Sequence, residues 1–367
     1  MTPMWNKFAK TAERIAFRRL AVVRPARPQP VPENPGTIVV LSCTGIGDAL
    51  FDSAAIRCLK LGYPGACVVV LAHHRRMTVA RHNPFADEVL PYSKSPLARW
   101  RLLRALRPRR PGLVVALRVN EDAVALGYLL NRHAFFGSVR RCGSLAFLLS
   151  GPVEPAGGLH AVEETLEVAR RAGGADDAPR SMVYRVHPDE RESAARRFAP
   201  WFGEPYIAWQ AGGGRTLKHR DWPPQKIIEA ARILRETIPH RIVITGGGDN
   251  KDAAAEIAAG CPGAVNLCCQ TSLEETAAIV EGAAMLVSSD TGVMHLGFAV
   301  GTPTLALLHP KSKPEHFGPP PGDERFEIIH VPQTNPDGSP STMDDLPAAR
   351  VAETILRRLG RSGGVSG

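Results

Sequence analysis

Long apolar runs are missing from this chain. No window approaches the ~20 uninterrupted apolar residues of a membrane-spanning helix, so none of its helices is expected to cross a bilayer. Paired cysteines are missing too. The seven cysteines, at 43, 58, 67, 142, 261, 268 and 269, form no C-x-x-C pair, and no Cys/His cluster has zinc spacing. An odd number without a framework fits reduced thiols and a cytoplasmic address. The N-terminus has no apolar core followed by a small-residue cleavage site, so no secretory signal is expected. Aromatic residues make up only 6% of the chain, and no aromatic platform is interleaved with the basic residues. That argues against a nucleic-acid partner, whose bases would need stacking surfaces. No G-K-[ST] follows a glycine-rich turn, which excludes a P-loop. No Asp-x-Asp pair stands at a strand end, where a metal-bridged diphosphate would need one.

Positive charge is abundant. Lys and Arg number 45 against 36 Asp and Glu, for a net +9. The cations are unevenly placed. Lys7, Lys10, Arg14, Arg18, Arg19, Arg24 and Arg27 crowd the start, and Arg99, Arg101, Arg104, Arg107, Arg109 and Arg110 form a second group. The first half therefore suits an anionic partner: nucleic acid, a membrane surface or an acidic substrate. Residues 4–22 place Trp5, Phe8, Ala12, Ile15 and Ala16 at helical spacing between basic residues. Two readings fit this stretch: an interfacial membrane anchor, or a helix packed on the body of the protein. The Pro-rich segment 24–36 reads as a semi-extended linker.

The 367 residues suffice for two domains. Apolar runs TIVVLS (37–42), ACVVVLA (66–72), EVLPY (88–92) and GLVVALR (112–118) alternate with helical patterns. A turn-rich boundary follows at 173–190. A second series then begins with YIAWQA (206–211), RIVIT (241–245), AVNLCC (264–269), AMLVSS (284–289) and TPTLALL (302–308), again separated by helices. Alternating buried strands and helices indicate parallel sheets covered on both faces. The expected class is α/β, two doubly wound Rossmann-like domains with a cleft between them. The expected divisions are 1–36, 37–180, 181–343 and a C-terminal helix and tail at 344–367. Ser272 and Glu275 form a capping box at one helix start.

In an open parallel sheet, ligands bind beyond the carboxyl ends of the strands. SSDTG (288–292) stands at such an end, with Gly292 beginning a helix whose free N–H groups suit a phosphate. Thr291 can add a hydroxyl, and His295 lies one turn further on. The competing reading makes Asp290 or Thr291 a helix cap and His295 a packed core residue. GGGRTLKHR (212–220) follows another strand. Its glycines allow close backbone approach, and Arg215, Thr216, Lys218 and Arg220 offer donors to a diphosphate. TGGGDN (245–250) is a third such turn, with Asp249 placed to reach a ribose hydroxyl. Three in one domain indicate a nucleotide site. TGIGDAL (44–50) holds the same position in the first domain, where Asp48 reads equally as a helix cap or as a base.

These residues resemble glycosyltransferase family nine, the ADP-heptose:lipopolysaccharide heptosyltransferases, over about residues 37–318. The blocks that carry the resemblance are VVLSCTGIGDALFDSAAIRCLK, GGGRTLKHRDWPPQKIIEAARIL and TSLEETAAIVEGAAMLVSSDTGVMHLGFAVGTPTLALLHP. The last contains the family's D-[ST]-G-x-x-H-x-A pattern, with Gly297 in place of its Ala. The resemblance implies a GT-B fold, with acceptor on the first domain and nucleotide-sugar on the second. It implies inverting, metal-independent transfer of heptose from ADP-heptose to a lipopolysaccharide core, on the cytoplasmic face of the inner membrane, without a cofactor. Asp48 matches the catalytic-base position. Thr216 matches a diphosphate contact, Thr271 the nucleotide pocket, and Asp290, Thr291, Gly292 and His295 the D-T-G-x-x-H site. Arg220 stands where the family's Lys precedes x-W-P, with Lys218 two residues earlier, so either cation can meet the diphosphate. Two alternatives share these features: a nucleotide-sugar epimerase on the same fold, and a non-catalytic binder of anionic polymers.

Overall fold

The computed structural model describes residues 14–26, 28, 30–74, 76–198, 202–319 and 322–362. The chain splits into two compact units, Met1–Val183 and Tyr184–Gly367. In the first unit, a helix at 14–23, α1, precedes β1 (Thr37–Ser42). Then come α2 (Ile46–Gly62), β2 (Cys67–His73), α3 (Met77–Arg81), β3 (Glu88–Tyr92), α4 (Pro96–Leu106) and β4 (Leu113–Ala116). The unit closes with α5 (Glu121–Leu130), β5 (Phe135–Ser138), α6 (Val139–Cys142), β6 (Gly151–Val153) and α7 (Ala161–Arg171). The strand order is β3-β2-β1-β4-β5-β6 and every pair is parallel. Val39 stands opposite Val69 on one side and Val114 on the other, all fully buried. The β-branched residues of these central strands pack under helices on both faces, so the runs are continuously apolar rather than alternating.

The second unit repeats the plan. Its elements are α8 (Pro188–Phe198), β7 (Tyr206–Gln210), α9 (Pro224–Arg235), β8 (Arg241–Thr245), α10 (Lys251–Gly260), β9 (Val265–Asn266) and α11 (Leu273–Gly282). They continue through β10 (Met285–Ser289), α12 (Gly292–Val300), β11 (Thr304–Leu308), α13 (Pro314–Phe317), β12 (Phe326–His330) and α14 (Ala348–Ser362). The order is β12-β11-β10-β7-β8-β9, again parallel. Numbered within its own unit, each sheet therefore runs 3-2-1-4-5-6. The direction of winding reverses between β1 and β4, and between β7 and β10, and a crevice opens at each reversal beyond the strand ends. Helix α14 buries Val351, Ala352 and Ile355 in the same core as Ile227 and Leu234 of α9.

The structure adds three strands to those expected from the sequence: β5, β6 and β12. Each is short or at a sheet edge, and β5 and β6 contain Gly or Pro, which erases the apolar run that marks a strand. β9 is shorter than AVNLCC suggested. After Asn266 the chain turns away, and Cys269 takes a left-handed φ of 62°. The basic amphipathic stretch is helical over 14–23, while residues 1–13 lie outside the described residues. Phe17, Leu20 and Ala21 pack on the first unit's core, and the Phe17 ring meets Tyr128 of α5 edge-on at 6.3 Å. The packed arrangement therefore accounts for one face of α1. Ser272 caps α11 as expected, accepting from the Glu275 N–H while Glu275 accepts from the Ser272 N–H.

Candidate active site

Asp48 lies in the first turn of α2, beyond β1. Its Oδ2 accepts the Gly45 N–H at 3.0 Å, so it does cap the helix. A side chain at position 45 would place its Cβ 3.1 Å from that oxygen, a tight approach that the carboxylate would have to yield to. The other oxygen, Oδ1, accepts from Arg118 at 3.1 Å. Arg118 follows β4, and its backbone carbonyl accepts the Cys43 N–H at 2.8 Å. The loops on the two sides of the winding reversal are thus tied together. The Asp48 side chain is 35% exposed, whereas that of Arg118 is 3% exposed. Arg76 reaches the Thr44 carbonyl beside them at 3.0 Å.

Behind Arg118 lies a buried ionic cluster. Asp52 Oδ1 stands 3.8 Å from the Arg118 Nε, and Glu164 of α7 stands 3.7 Å from an Arg118 terminal nitrogen. Asp52 Oδ2 accepts from Ser42 at 2.6 Å. Burial pushes the Asp52 carboxyl up to about 7, although Arg118 and the Ser42 hydroxyl pull it back. Burial alone would raise Glu164 also. The hydrogen bond and charge of Arg141, with Arg118 and Arg140, outweigh it and hold that carboxyl below its ordinary range. Burial raises the Cys43 thiol, which removes it as a nucleophile near neutral pH.

In the second unit the loop after β7 carries Gly212–Gly214 and a 3-10 turn, Arg215–Arg220. Trp222 fixes the far end of the loop. It is 2% exposed, stacks on Trp209 with ring centroids 6.0 Å apart, and donates to the Leu346 carbonyl. Asp221 accepts the Gly213 N–H at 2.6 Å, and Asn250 donates to the Gly213 carbonyl. A Cβ at Gly212, whose φ is +156°, would stand 2.5 Å from the Asp221 carboxylate. The glycine-rich sequence therefore lets this loop fold tightly over its own anchors.

Across the crevice, Thr291 is the N-cap of α12 and accepts the Met294 N–H; its hydroxyl also meets Ser288 at 3.1 Å. Gly292 opens the helix. Arg220 donates to Asp290 at 2.7 Å, and Ser312 donates to the same carboxylate oxygen at 3.0 Å. His295 is buried one turn inside α12, edge-on to Phe298. His309 and His219 stack at right angles, 5.2 Å apart. Burial, then His219, Arg220 and Lys311, lower the His309 pKa and favour its neutral form. Arg220 thus stands at the start of α12 through Asp290, and His219 and Lys311 lie beside His309 on the neighbouring loop, so cations and helix-end amides that can receive an anion share this crevice.

The residues expected from sequence fall into distinct places. Arg220 and Asp290 are brought together, and Thr291, Gly292 and His295 follow them. Asp249 is joined to the loop after β7, accepting the Arg215 N–H at 3.1 Å. Thr216 and Lys218 stand exposed on the 3-10 turn. Thr271 bonds Thr276 at 2.9 Å just before α11. Sequence reading missed Ser312, His309 and Lys311, which follow β11 in LLHPKS, and Arg118, Asp52 and Glu164 in the first unit. For Arg118 the signal was present: a lone arginine ending the apolar run GLVVALR. Among the described residues, no group of three or more His, Cys, Asp or Glu side chains is arranged to hold a metal ion.

Two doubly wound units, one with a cationic helix-end crevice and one with a carboxylate at its crevice, have the build of an enzyme that moves a group from a nucleotide-activated donor. The family model for glycosyltransferase family 9 (heptosyltransferase) matches residues 100–339, well over half of the chain. The chain belongs to that family; it is a glycosyltransferase of GT-B fold, using a nucleotide-sugar donor. It is 25% identical to lipopolysaccharide heptosyltransferase 2 of Salmonella typhimurium over 304 residues, 77% of this chain and 85% of that protein. The structure of E. coli ADP-heptose lps heptosyltransferase II superposes with a TM-score of 0.76 at 20% identity, over 89% of this chain and all of that one. That of E. coli heptosyltransferase WaaC with ADP gives 0.70 at 19% identity, over 88% and 99%.

Proposed function

We propose that this protein transfers heptose from ADP-heptose to a lipopolysaccharide core or related envelope glycan, with inversion and without a metal ion. One observation carries the reading: Arg220 and Asp290 meet across the winding reversal of the second unit, at the amide end of α12. A diphosphate placed there receives helix N–H groups and cations from the loops after β7 and β11. The ADP in the WaaC complex and the ADP-heptose named for heptosyltransferase II support that choice of donor.

The second unit binds the donor. Asp249 takes the ribose and Thr271 lines the nucleotide pocket, while Thr216, Lys218 and Arg220 meet the diphosphate with Thr291 and Gly292. Asp290 and His295 hold the loop and orient the sugar. The first unit binds the acceptor, and Asp48 accepts the proton of its attacking hydroxyl. The acceptor oxygen bonds to the anomeric carbon as the bond to the diphosphate oxygen breaks, a single displacement that inverts the centre. Charge develops on the diphosphate as an oxocarbenium-like sugar forms. Fixed donors are most effective there because they need no reorganisation. Arg220, Lys218 and Lys311 supply positive charge of the kind a divalent ion supplies elsewhere, which supports metal independence.

The enzyme works in the cytoplasm, at the inner face of the inner membrane. No helix among the described residues is long and apolar enough to cross a membrane. Support for surface contact comes from α4, where Leu97 and Trp100 are more than half exposed among Arg101, Arg104 and Arg107. The test is a melting-temperature panel of ADP-, GDP-, UDP- and TDP-sugars, followed by turnover with and without acceptor in excess EDTA. ADP-heptose raises the melting temperature by mass action, and ADP appears only with acceptor. Isomerisation of the donor without acceptor, or activity lost to EDTA and restored by Mg²⁺, contradicts the reading.

A further inference from the structure

Arg118 is almost wholly buried yet spends one of its donors on a carboxylate that is not. Its guanidinium stacks over the Phe51 ring at 5.1 Å and donates to the Ala161 carbonyl at 3.2 Å. Asp52 and Glu164 flank it at 3.8 and 3.7 Å, and Glu164 is itself clamped by Arg140 and Arg141 at 3.1 and 2.5 Å. With these contacts the guanidinium plane has little freedom. Its remaining terminal nitrogen points to Asp48 Oδ1 at 3.1 Å. The Gly45 N–H holds Oδ2, so both oxygens of Asp48 are fixed in direction, and each keeps a lone pair for another partner.

A helix cap alone does not require the second contact. The Gly45 N–H is satisfied by one oxygen, and an exposed Asp at this position would otherwise turn about its side-chain bonds. Paying out a buried guanidinium, with two buried acids behind it, to hold the outer oxygen of a helix-start carboxylate is an arrangement for direction rather than for capping. We infer that Arg118, braced by Asp52 and Glu164, is a positioning residue that aims the Asp48 carboxylate at the acceptor hydroxyl. The inference rests on the reading of Asp48 as the base. Misplacing a reacting group by about 1 Å costs up to ~10²-fold in rate, so the effect belongs in kcat and not in donor binding.

The test uses the full chain with ADP-heptose and a deacylated lipopolysaccharide core acceptor, and measures donor Kd, kcat, acceptor KM and melting for Arg118→Met, Arg118→Lys, Asp52→Asn, Asp48→Asn and the Asp48→Asn/Arg118→Met pair. Arg118→Met is expected to lower kcat by roughly 10- to 100-fold with donor Kd unchanged. Arg118→Lys recovers part of that loss, because an ammonium restores one donor to Asp48. In the Asp48→Asn background, Arg118→Met costs no further rate, since there is no longer a base to aim. If Arg118→Met unfolds the protein, Arg118→Lys and Asp52→Asn decide: each lowers kcat several-fold at unchanged donor Kd. The inference is overturned if these variants keep wild-type kcat, or if Arg118→Met slows the Asp48→Asn enzyme by the factor it slows the wild type. Either result leaves the base reading standing, provided Asp48→Asn is itself slow. Wild-type turnover by Asp48→Asn overturns both.

Discussion

Replacing Arg220 by Met separates two roles that the ion pair with Asp290 combines. The Arg220 side chain is 31% exposed and that of Asp290 11% exposed, so the pair is only partly shielded. A partly exposed ion pair contributes about 1 kcal/mol or less, and Asp290 keeps the Ser312 hydroxyl. Stability therefore falls modestly, by about 2–4 °C for a folding unit the size of Tyr184–Gly367. The effect on transfer is larger. A hydrogen bond to a charged group is worth about 1.5–3 kcal/mol, so losing the contact to the departing diphosphate lowers kcat/KM by roughly 10- to 150-fold. Calorimetric melting and acceptor-dependent ADP release on the same preparation measure both. Adding Asp290→Asn removes the carboxylate left without its cation and returns the melting temperature toward wild type, while transfer stays at or below that of Arg220→Met. Turnover that recovers together with melting in the double variant would mean that Arg220 only neutralises Asp290, and the reasoning fails.

Three further outcomes follow from the packing. Asp52 is held near 7 in the folded protein against an ordinary 3.8. The folded state binds that proton more tightly than the unfolded chain, so Asp52 makes stability fall as pH rises between those values, by up to ~1.4 kcal/mol per pH unit; Asp52→Asn flattens the dependence in chemical denaturation, and an unchanged slope refutes the assignment. Thr291→Ala removes the N-cap of α12 and costs about 1 kcal/mol. If Thr291 also meets phosphate, ADP affinity drops in titration calorimetry, and a loss confined to stability limits the residue to capping. Deleting residues 1–23 uncovers the Tyr128 face that Phe17 and Leu20 protect and lowers the melting temperature, and unchanged melting contradicts that packing; replacing Leu97 and Trp100 by Glu weakens binding to anionic vesicles, and unchanged binding contradicts the surface-contact proposal.

What the sequence made legible was local. A buried strand, a glycine turn and a helix start lie within about ten residues of one another, so GIGDAL, GGGRTLKHR and SSDTG announced their places before any fold was known. The pairs that complete the crevices are not local. Asp48 and Arg118 are 70 residues apart, and so are Arg220 and Asp290. In each unit the first and fourth strands become neighbours only when the sheet winds both ways, and that juxtaposition brings the two loops together. Arg118 looked like the end of a strand because its partners lie on α2 and α7. The capping and base readings of Asp48 could not be separated by sequence because one carboxylate has two oxygens. One caps the helix, and the other is held by Arg118 with its side chain open to solvent.

The most direct test of the account is turnover by Asp48→Asn, with donor binding and melting taken from the same sample. Asn keeps the shape, and its amide oxygen can still accept the Gly45 N–H, although its NH2 cannot accept from Arg118. The expected result is melting lowered only modestly, by the lost Arg118 contact, with ADP-heptose affinity within a few-fold and acceptor-dependent ADP release slowed by roughly 10² or more. Near-normal turnover, with any loss confined to stability, would show Asp48 to be a cap alone and would contradict the proposed chemistry.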